Sequence, residues 1–363
     1  MQIGTASLTF GNSTLSHVVS DAASVRRQLD ALTRQAGDGL VSDTLAGLGS
    51  GASVSLSLGA ALGEVQTWQA DTQSAAGQMQ TAQSALSQIS DIASQFFAST
   101  AALNGVNATA IDATAASARD SLTQVAGLLN SKFGDVYVFA GTDSANPPVP
   151  GDILSSGLVT GIATTVGTLA IGGAAATIAS TLAAAASNAP GVSPFSAALS
   201  QPAAALQVTR PLVADGSSAP IPTGLLASAN GDIGSSGSST TGSYIRDILR
   251  ALATIGALSS GQAGAPGLGQ LVQDTHTSLG DAISALNGDA GVMGNRQAAL
   301  EARRQNLGDT VTALQGQISN VQDVDMAATL SHLTATQTQL QASYQLLGTL
   351  RSLSLASVLV GGG

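Results

Sequence analysis

Three histidines, His17, His276 and His332, are the side chains of this sequence best suited to metal ligation or proton transfer. They are spread along the chain. No His-Glu-x-x-His pair sets two imidazoles on one helical face. Each lies in polar, helix-forming sequence, so a structural or solvent-facing role is expected. Gly47-x-Gly49-x-x-Ala52, with Asp71 nearly twenty residues on, mimics a dinucleotide-binding turn. Such a turn needs an apolar strand directly before it, and none precedes this one. Serine, aspartate and histidine are all present, but there is no Gly-x-Ser-x-Gly elbow, no phosphate-binding loop and no spacing that defines a triad. With no cysteine, disulfides and thiolate metal sites are excluded. Asn12-Ser-Thr14 and Asn107-Ala-Thr109 read as chance sequons. No residue is assigned a catalytic, cofactor-binding or metal-binding role, and the chain is read as a non-enzyme that needs no cofactor.

Charge narrows the partners. Only 9% of residues are charged, against about 25% in a typical soluble domain. The net charge is −10, and Lys132 is the only lysine. Neutralising phosphates requires clustered cations, so nucleic acid is not a partner. An anionic membrane surface is disfavoured for the same reason. Residues 153–209 contain no charged side chain, and Leu158 to Ser187 is long enough to span a bilayer. That stretch is mostly alanine, glycine and threonine and lacks a flanking Lys/Arg or Trp/Tyr belt, so no membrane insertion is expected. The first residues, MQIGTASLTFGNSTL, lack the cationic and apolar regions of a secretory signal. Aromatics are 3% of the chain. A surface so poor in charge favours association between copies.

Most of the remaining pattern belongs to long helices. Val272, Leu279, Leu286, Met293, Leu300, Leu307, Leu314 and Val321 fall at sevens without a missed step. Trp68, Ala75, Ala82, Ile89, Phe96 and Leu103 do the same. Three residues before each lie Val65, Thr72, Met79, Leu86, Ala93 and Thr100, giving a second row. Such periods describe apolar seams packed against a partner helix. An intramolecular bundle would show the same period.

Between these seams the chain is punctuated. After a flexible start over residues 1–14, Leu15, Val18, Ala22, Val25, Leu29 and Leu32 mark one helical face, with Arg26, Arg27 and Arg34 off it. The glycine-rich Gly37 to Ala52 breaks this helix. A long helix then covers about 55–103, a turn follows at Asn104-Gly105, and another helix covers about 109–132. Val136 to Phe139 reads as a short strand. Residues 150–235 read as a compact β-rich insert, although Gly172 to Ser187 also suits an Ala-rich helix. Gly231 to Gly242 reads as a Gly/Ser connector. Helix returns at Tyr244. The sevenfold ladder follows, with a kink or short loop expected near Gly288, Gly291 and Gly294. A terminal helix over about 324–359 carries Met326, Leu333, Leu340 and Leu347, and the last three glycines read as disordered.

Three segments carry a family resemblance. Leu29 to Leu62, with its GDGLVSDTLAGLGSGASVSLSLGAAL, YVFAGTDSANPPV (Tyr137 to Val149) and DVDMAATLSHLTATQTQLQASYQLLGTLRSLSLASVL (Asp323 to Leu359) resemble bacterial flagellins. They are most similar to the hook-associated protein 3, or hook–filament junction, branch of that family. The similarity covers roughly residues 1–145 and 245–360. The Gln-x-x-Leu-x-Ala-Ser spacing and the SLxxxL ending of the last segment favour the junction branch, and the absence of the Arg-Ile-Asn core usual in filament flagellins weakens a filament reading.

The resemblance implies a mainly α fold in which N- and C-terminal segments form a long antiparallel, coaxial helical bundle, with a β-rich outer domain inserted. The expected divisions are 1–145, 146–242 and 243–363. It implies a secreted structural subunit of the bacterial flagellum, exported by the flagellar type III apparatus. Its partners would be copies of itself, the other axial proteins (hook, junction and filament) and an export chaperone on the C-terminal helix. The assembly seam is assigned to Leu86, Ile89, Phe96, Leu300, Leu307, Leu314, Leu333, Leu340 and Leu347. A filament-forming flagellin is the nearest alternative, and a secreted adhesin using the same export route is a remoter one.

Overall fold

The computed structural model describes residues 7–101, 103, 108–202, 205–206, 212–213 and 221–360, and for 7–15, 212 and 350–360 the backbone alone. The expected turn at Asn104-Gly105 and the final three glycines lie outside the described residues. The chain is mainly helical and divides into two compact units, residues 1–65 with 309–363, and residues 66–308. The boundaries fall inside two long helices, α2 (Gly51–Ala101) and α7 (Leu268–Gln322).

The first unit joins the two ends of the chain. Helix α1 (Ser7–Asp38) begins before the expected Leu15 and packs along α8 (Met326–Val360). Ala22 and Val25 of its stripe are buried, while Arg26, Arg27 and Arg34 point to solvent. Helix α1 stops at Gly39, whose φ of 71° lets its N–H close back on the Gln35 carbonyl at 2.9 Å. The next residues form a strap. Val41 N–H donates to the Gln322 carbonyl at 2.7 Å, and Val324 N–H donates to the Gly39 carbonyl at 3.0 Å. Leu40 thus bridges antiparallel to Asp323, joining the break after α1 to the break between α7 and α8. Asp325 caps α8 by accepting from the N–H groups of Ala327 and Ala328. Gln322 Nε2 donates to Ser55 Oγ at 2.7 Å.

In the second unit, α2 and α7 run antiparallel. Ser90 Oγ donates to Asn287 Oδ1 at 2.8 Å, Phe97 stacks on His276 at 3.8 Å, and Gly280 faces Phe97. On α2 the expected rows are buried from Thr72 through Met79, Leu86, Ala93 and Thr100, and from Ala75 through Ala82, Ile89 and Phe96, with Leu103 buried just beyond the helix; Trp68, expected in the second row, is half-buried. The ladder on α7 is buried from Val272 to Leu307. No short loop interrupts the chain near Gly288, and α7 is one helix through all three glycines. Packing explains a glycine here: a Cβ at Gly288 would lie 2.8 Å from Ile233 Cδ1. The missing side chain lets a loop approach the helix.

Helix α3 (Ala108–Leu129) lays Ile111, Ala115, Ala118, Leu122, Val125 and Leu129 inward. A two-residue hairpin follows, β1 (Lys132–Phe133) with β2 (Val136–Tyr137), with Lys132 Nζ 4.3 Å from the Tyr137 ring centre. The expected β-rich insert has few strand residues where it is described and is helical in its first part. Helices α4 (Gly157–Gly167) and α5 (Leu169–Ala186) fill its first part. Strand pairing is limited to β3 (Leu212–Val213) with β4 (Ile221–Pro222) and isolated bridges. Ser156 caps α4, and Leu158, Ile162 and Val166 then recur at four-residue spacing. That is a helical period hidden within Ala/Gly/Thr-rich sequence, where alanine is the best helix former. The Ala-rich helix considered for Gly172 to Ser187 is present within α5.

Helix α6 (Tyr244–Gly256) sits at the centre of this unit, packed by α3, α4 and α5 and buried at every position. A helix buried all round is normally apolar all round. This one carries Arg246, Asp247 and Arg250.

Candidate assembly surfaces and their support

The expected seam residues divide by burial. Leu86, Ile89 and Phe96 on α2, and Leu300 and Leu307 on α7, are buried within the second unit. Leu314, Leu333, Leu340 and Leu347 are half-buried in the first unit. The chain itself covers the first five, which therefore act through its internal packing. The last four keep apolar surface in reach of another molecule.

The first unit also exposes large apolar side chains outright. Val19 on α1, Leu56 on α2, and Leu330, Tyr344 and Leu346 on α8 are each about half exposed or more. In the second unit, among the described residues, only Phe133 and Ile171 are comparable. Single exposed apolar residues are ordinary, but this set leaves apolar surface open along both chain ends.

Besides its apolar core, the second unit is held by buried polar contacts that no periodic pattern in the sequence marks. The Gly/Ser stretch Gly231 to Gly242 is a pinned loop. Asp289 of α7, buried, accepts from Gly231 N–H at 2.6 Å, Asp232 N–H at 2.7 Å, Ile233 N–H at 3.3 Å and Tyr244 Oη–H at 2.8 Å. Asn230 closes the loop base, accepting from Tyr244 N–H and donating to the Gly242 carbonyl. Asp247 accepts from Thr240 Oγ1–H at 2.5 Å, and from the N–H and hydroxyl of Thr241 at 2.8 Å. Arg250 donates to Ser239 and reaches Asp274 at 3.4 Å.

Among the described residues, Arg246 hydrogen-bonds to no carboxylate. Its guanidinium donates to the carbonyls of Ser228 (2.8 Å), Ala185 (2.9 Å) and Ser187 (3.2 Å), and to Asn188 Oδ1 (2.6 Å). Two of these carbonyls lie at the C-terminal end of α5, where unpaired carbonyls and the helix dipole favour a cation. Burial lowers the Arg246 pKa, and Asp247 beside it partly opposes that. Burial also lowers that of Arg250, opposed first by Asp274 and then by Asp247. An amphipathic template counts these positions as solvent-facing, so only the three-dimensional partners identify them.

Chemistry of other kinds has little to build on. His276 is stacked on Phe97 with Nδ1 2.9 Å from Thr100 Oγ1, and His17 and His332 are exposed. Among the described residues no group of three or more His, Cys, Asp or Glu could hold a metal ion. A cavity of about 410 Å³ lies beside Asn188, Asn230, Thr241, Ser243 and Arg246. Its one cation is already engaged by the carbonyls and amide named above.

The fold therefore defines a class: a mainly helical protein whose two chain ends pack together and leave apolar surface uncovered. Residues 277–359 match the family model of the bacterial flagellin C-terminal helical region. The match supports the bacterial flagellin family, whose members are structural and non-enzymatic and assemble into the flagellum outside the cell. No curated protein matches the chain.

Proposed function

We propose that this chain is a self-assembling structural subunit of the bacterial flagellum, placed at the hook–filament junction. The observation that carries the reading is the unit formed by residues 1–65 and 309–363. It pairs the N- and C-terminal helices, holds part of the flagellin-matched segment and exposes Leu56, Leu330, Tyr344 and Leu346. Burying those side chains between copies is the driving force for assembly, at roughly 25 cal/mol per Å² of apolar surface.

The placement at the junction rests on the resemblance of Tyr137 to Val149 and Asp323 to Leu359 to the junction branch. On this reading the helical halves are 1–145 and 243–363, and 146–242 faces outward. The chain is exported by the flagellar type III route, with a chaperone covering the C-terminal helix until then. Its partners are copies of itself and the adjoining hook and filament proteins. It needs no cofactor, nucleic acid or membrane insertion.

Immunogold electron microscopy of cells with antibody to residues 150–240 tests the reading. Label confined to the distal end of the hook is expected. Label along whole filaments would make the chain a filament flagellin. Absence of flagellar label, with surface binding by the chain and intact motility after its deletion, would make it an adhesin.

A further inference from the structure

Helix α5 buries Leu169, with Ile178 packed on the core, but leaves an alanine-rich side open. Its inward positions include Thr177 and Thr181, whose hydroxyls bond to carbonyls of their own helix. Its outward positions include Ala175, Ala176, Ala179 and Ala183, all exposed. Ile171, just before the bend at Gly173, is 91% exposed, the most of any large apolar side chain described. A helix usually buries its apolar stripe and shows its hydroxyls to water. Here two hydroxyls are buried and the exposed side, apart from Ser180, is alanine with Ile171 at its start. In addition, the whole span 153–209 contains no charged residue, although the chain carries −10.

These observations specify the occupant. By length and composition α5 could cross a bilayer. Its end, however, is tied to Arg246, and drawing the helix into lipid would strand that buried guanidinium. The span also lacks the flanking cations that an anionic membrane recruits. A second copy fits better. Two acidic copies repel wherever their charged surfaces meet, and a charge-free face is where they can touch without that repulsion. Alanine along the outer side allows close approach of the backbones, with Ile171 as the one large anchor.

We infer that the outer face of α5, centred on Ile171 and Ala179, is a contact between copies of this chain in the assembled polymer. The inference rests on the self-assembly reading above and adds a second contact, in the unit of residues 66–308.

The chain has no cysteine, so Ile171→Cys introduces a single thiol probe. The full chain carrying it is labelled with a maleimide as soluble subunit and as pelleted polymer, with Ser236→Cys, in an exposed loop position, as reference. The expected result is labelling of Cys at 171 at least tenfold slower in the polymer, with the reference little changed. Polymer that forms normally while position 171 labels at its soluble rate would overturn this contact and leave the self-assembly reading standing. No polymer under any condition, with position 171 fully reactive, would overturn both. Protection of 171 by vesicles of phosphatidylcholine and phosphatidylglycerol, but not by polymer, would overturn the contact in favour of lipid.

Discussion

Ser90 Oγ donates to Asn287 Oδ1 at 2.8 Å, joining residues 197 positions apart on α2 and α7. The bond sits at the edge of two sevenfold seams that meet as antiparallel partners. Its neighbours show how closely the helices approach. A Cβ at Gly280 would lie 3.1 Å from Phe97 Cε2, whereas one at Gly291 would meet nothing within 4 Å.

The two glycines therefore respond differently to substitution. Gly291→Ala is expected to stabilise the chain by up to about 1 kcal/mol, the helix-propensity difference alone. Gly280→Val is expected to destabilise it by about 1–3 kcal/mol, because extra methyl groups are forced into Phe97. Thermal denaturation followed by circular dichroism checks both. A Gly280→Val protein as stable as the parent would refute the close packing.

Asp289 holds three backbone N–H groups and a tyrosine hydroxyl at once. Asp289→Ala removes the buried acceptor that these donors share and is expected to cost about 3 kcal/mol or more. Tyr244→Phe removes one donor and is expected to cost about 1 kcal/mol. Urea denaturation gives the stabilities, and limited proteolysis within 231–242 reports whether the loop is released. An Asp289→Ala protein that keeps its stability and resists cleavage would show that the loop is held by something else.

At Arg246 the geometry of the cation matters more than its charge. Lysine cannot reach the carbonyls on both sides as the guanidinium fork does. Arg246→Lys is therefore expected to destabilise the second unit by about 1–3 kcal/mol and to raise hydrogen exchange at the C-terminal turn of α5. Parent-like exchange there would argue against the capping role.

On α7, Arg304 hydrogen-bonds the Glu301 carboxylate at 2.6 Å and holds its pKa below the ordinary glutamate value. A carboxyl depressed in the folded state contributes stability above its unfolded pKa, and loses it as pH falls through the folded pKa. The pair is exposed, so the effect on stability is small. Carboxyl NMR titration should find Glu301 ionising at lower pH than an unpaired glutamate, and Arg304→Gln should move it up.

Leu340, half-buried on α8, tests the terminal surface. Leu340→Glu is expected to leave the unit of residues 66–308 folded and to block polymerisation, because a charge would then have to be buried between copies. Sedimentation of the polymer and circular dichroism of the soluble chain measure the two effects. Undiminished polymerisation would count against this face.

The sequence by itself determined the helices whose apolar period is long: the seams of α2 and α7, the stripe of α1 and the placement of α3. A period sustained over several turns allows one geometry, and Ala22, Val25, Ile89 and Leu300 are buried as that geometry requires. It left open what neighbouring side chains decide. Alternating Ala, Gly and Thr over 157–186 suited strands as well as helices, until packing against α6 selected helix. Glycines at 288 and 291 read as a break, yet α7 runs through them because its partners, not its propensity, set its course. The Gly/Ser stretch after Asn230 read as a connector, since its restraint comes from Asp247, Asp274 and Asp289, up to 58 residues away. Local pattern records which face of a helix is apolar. Which polar groups are buried, and what satisfies them, exists only once distant segments of the chain have met.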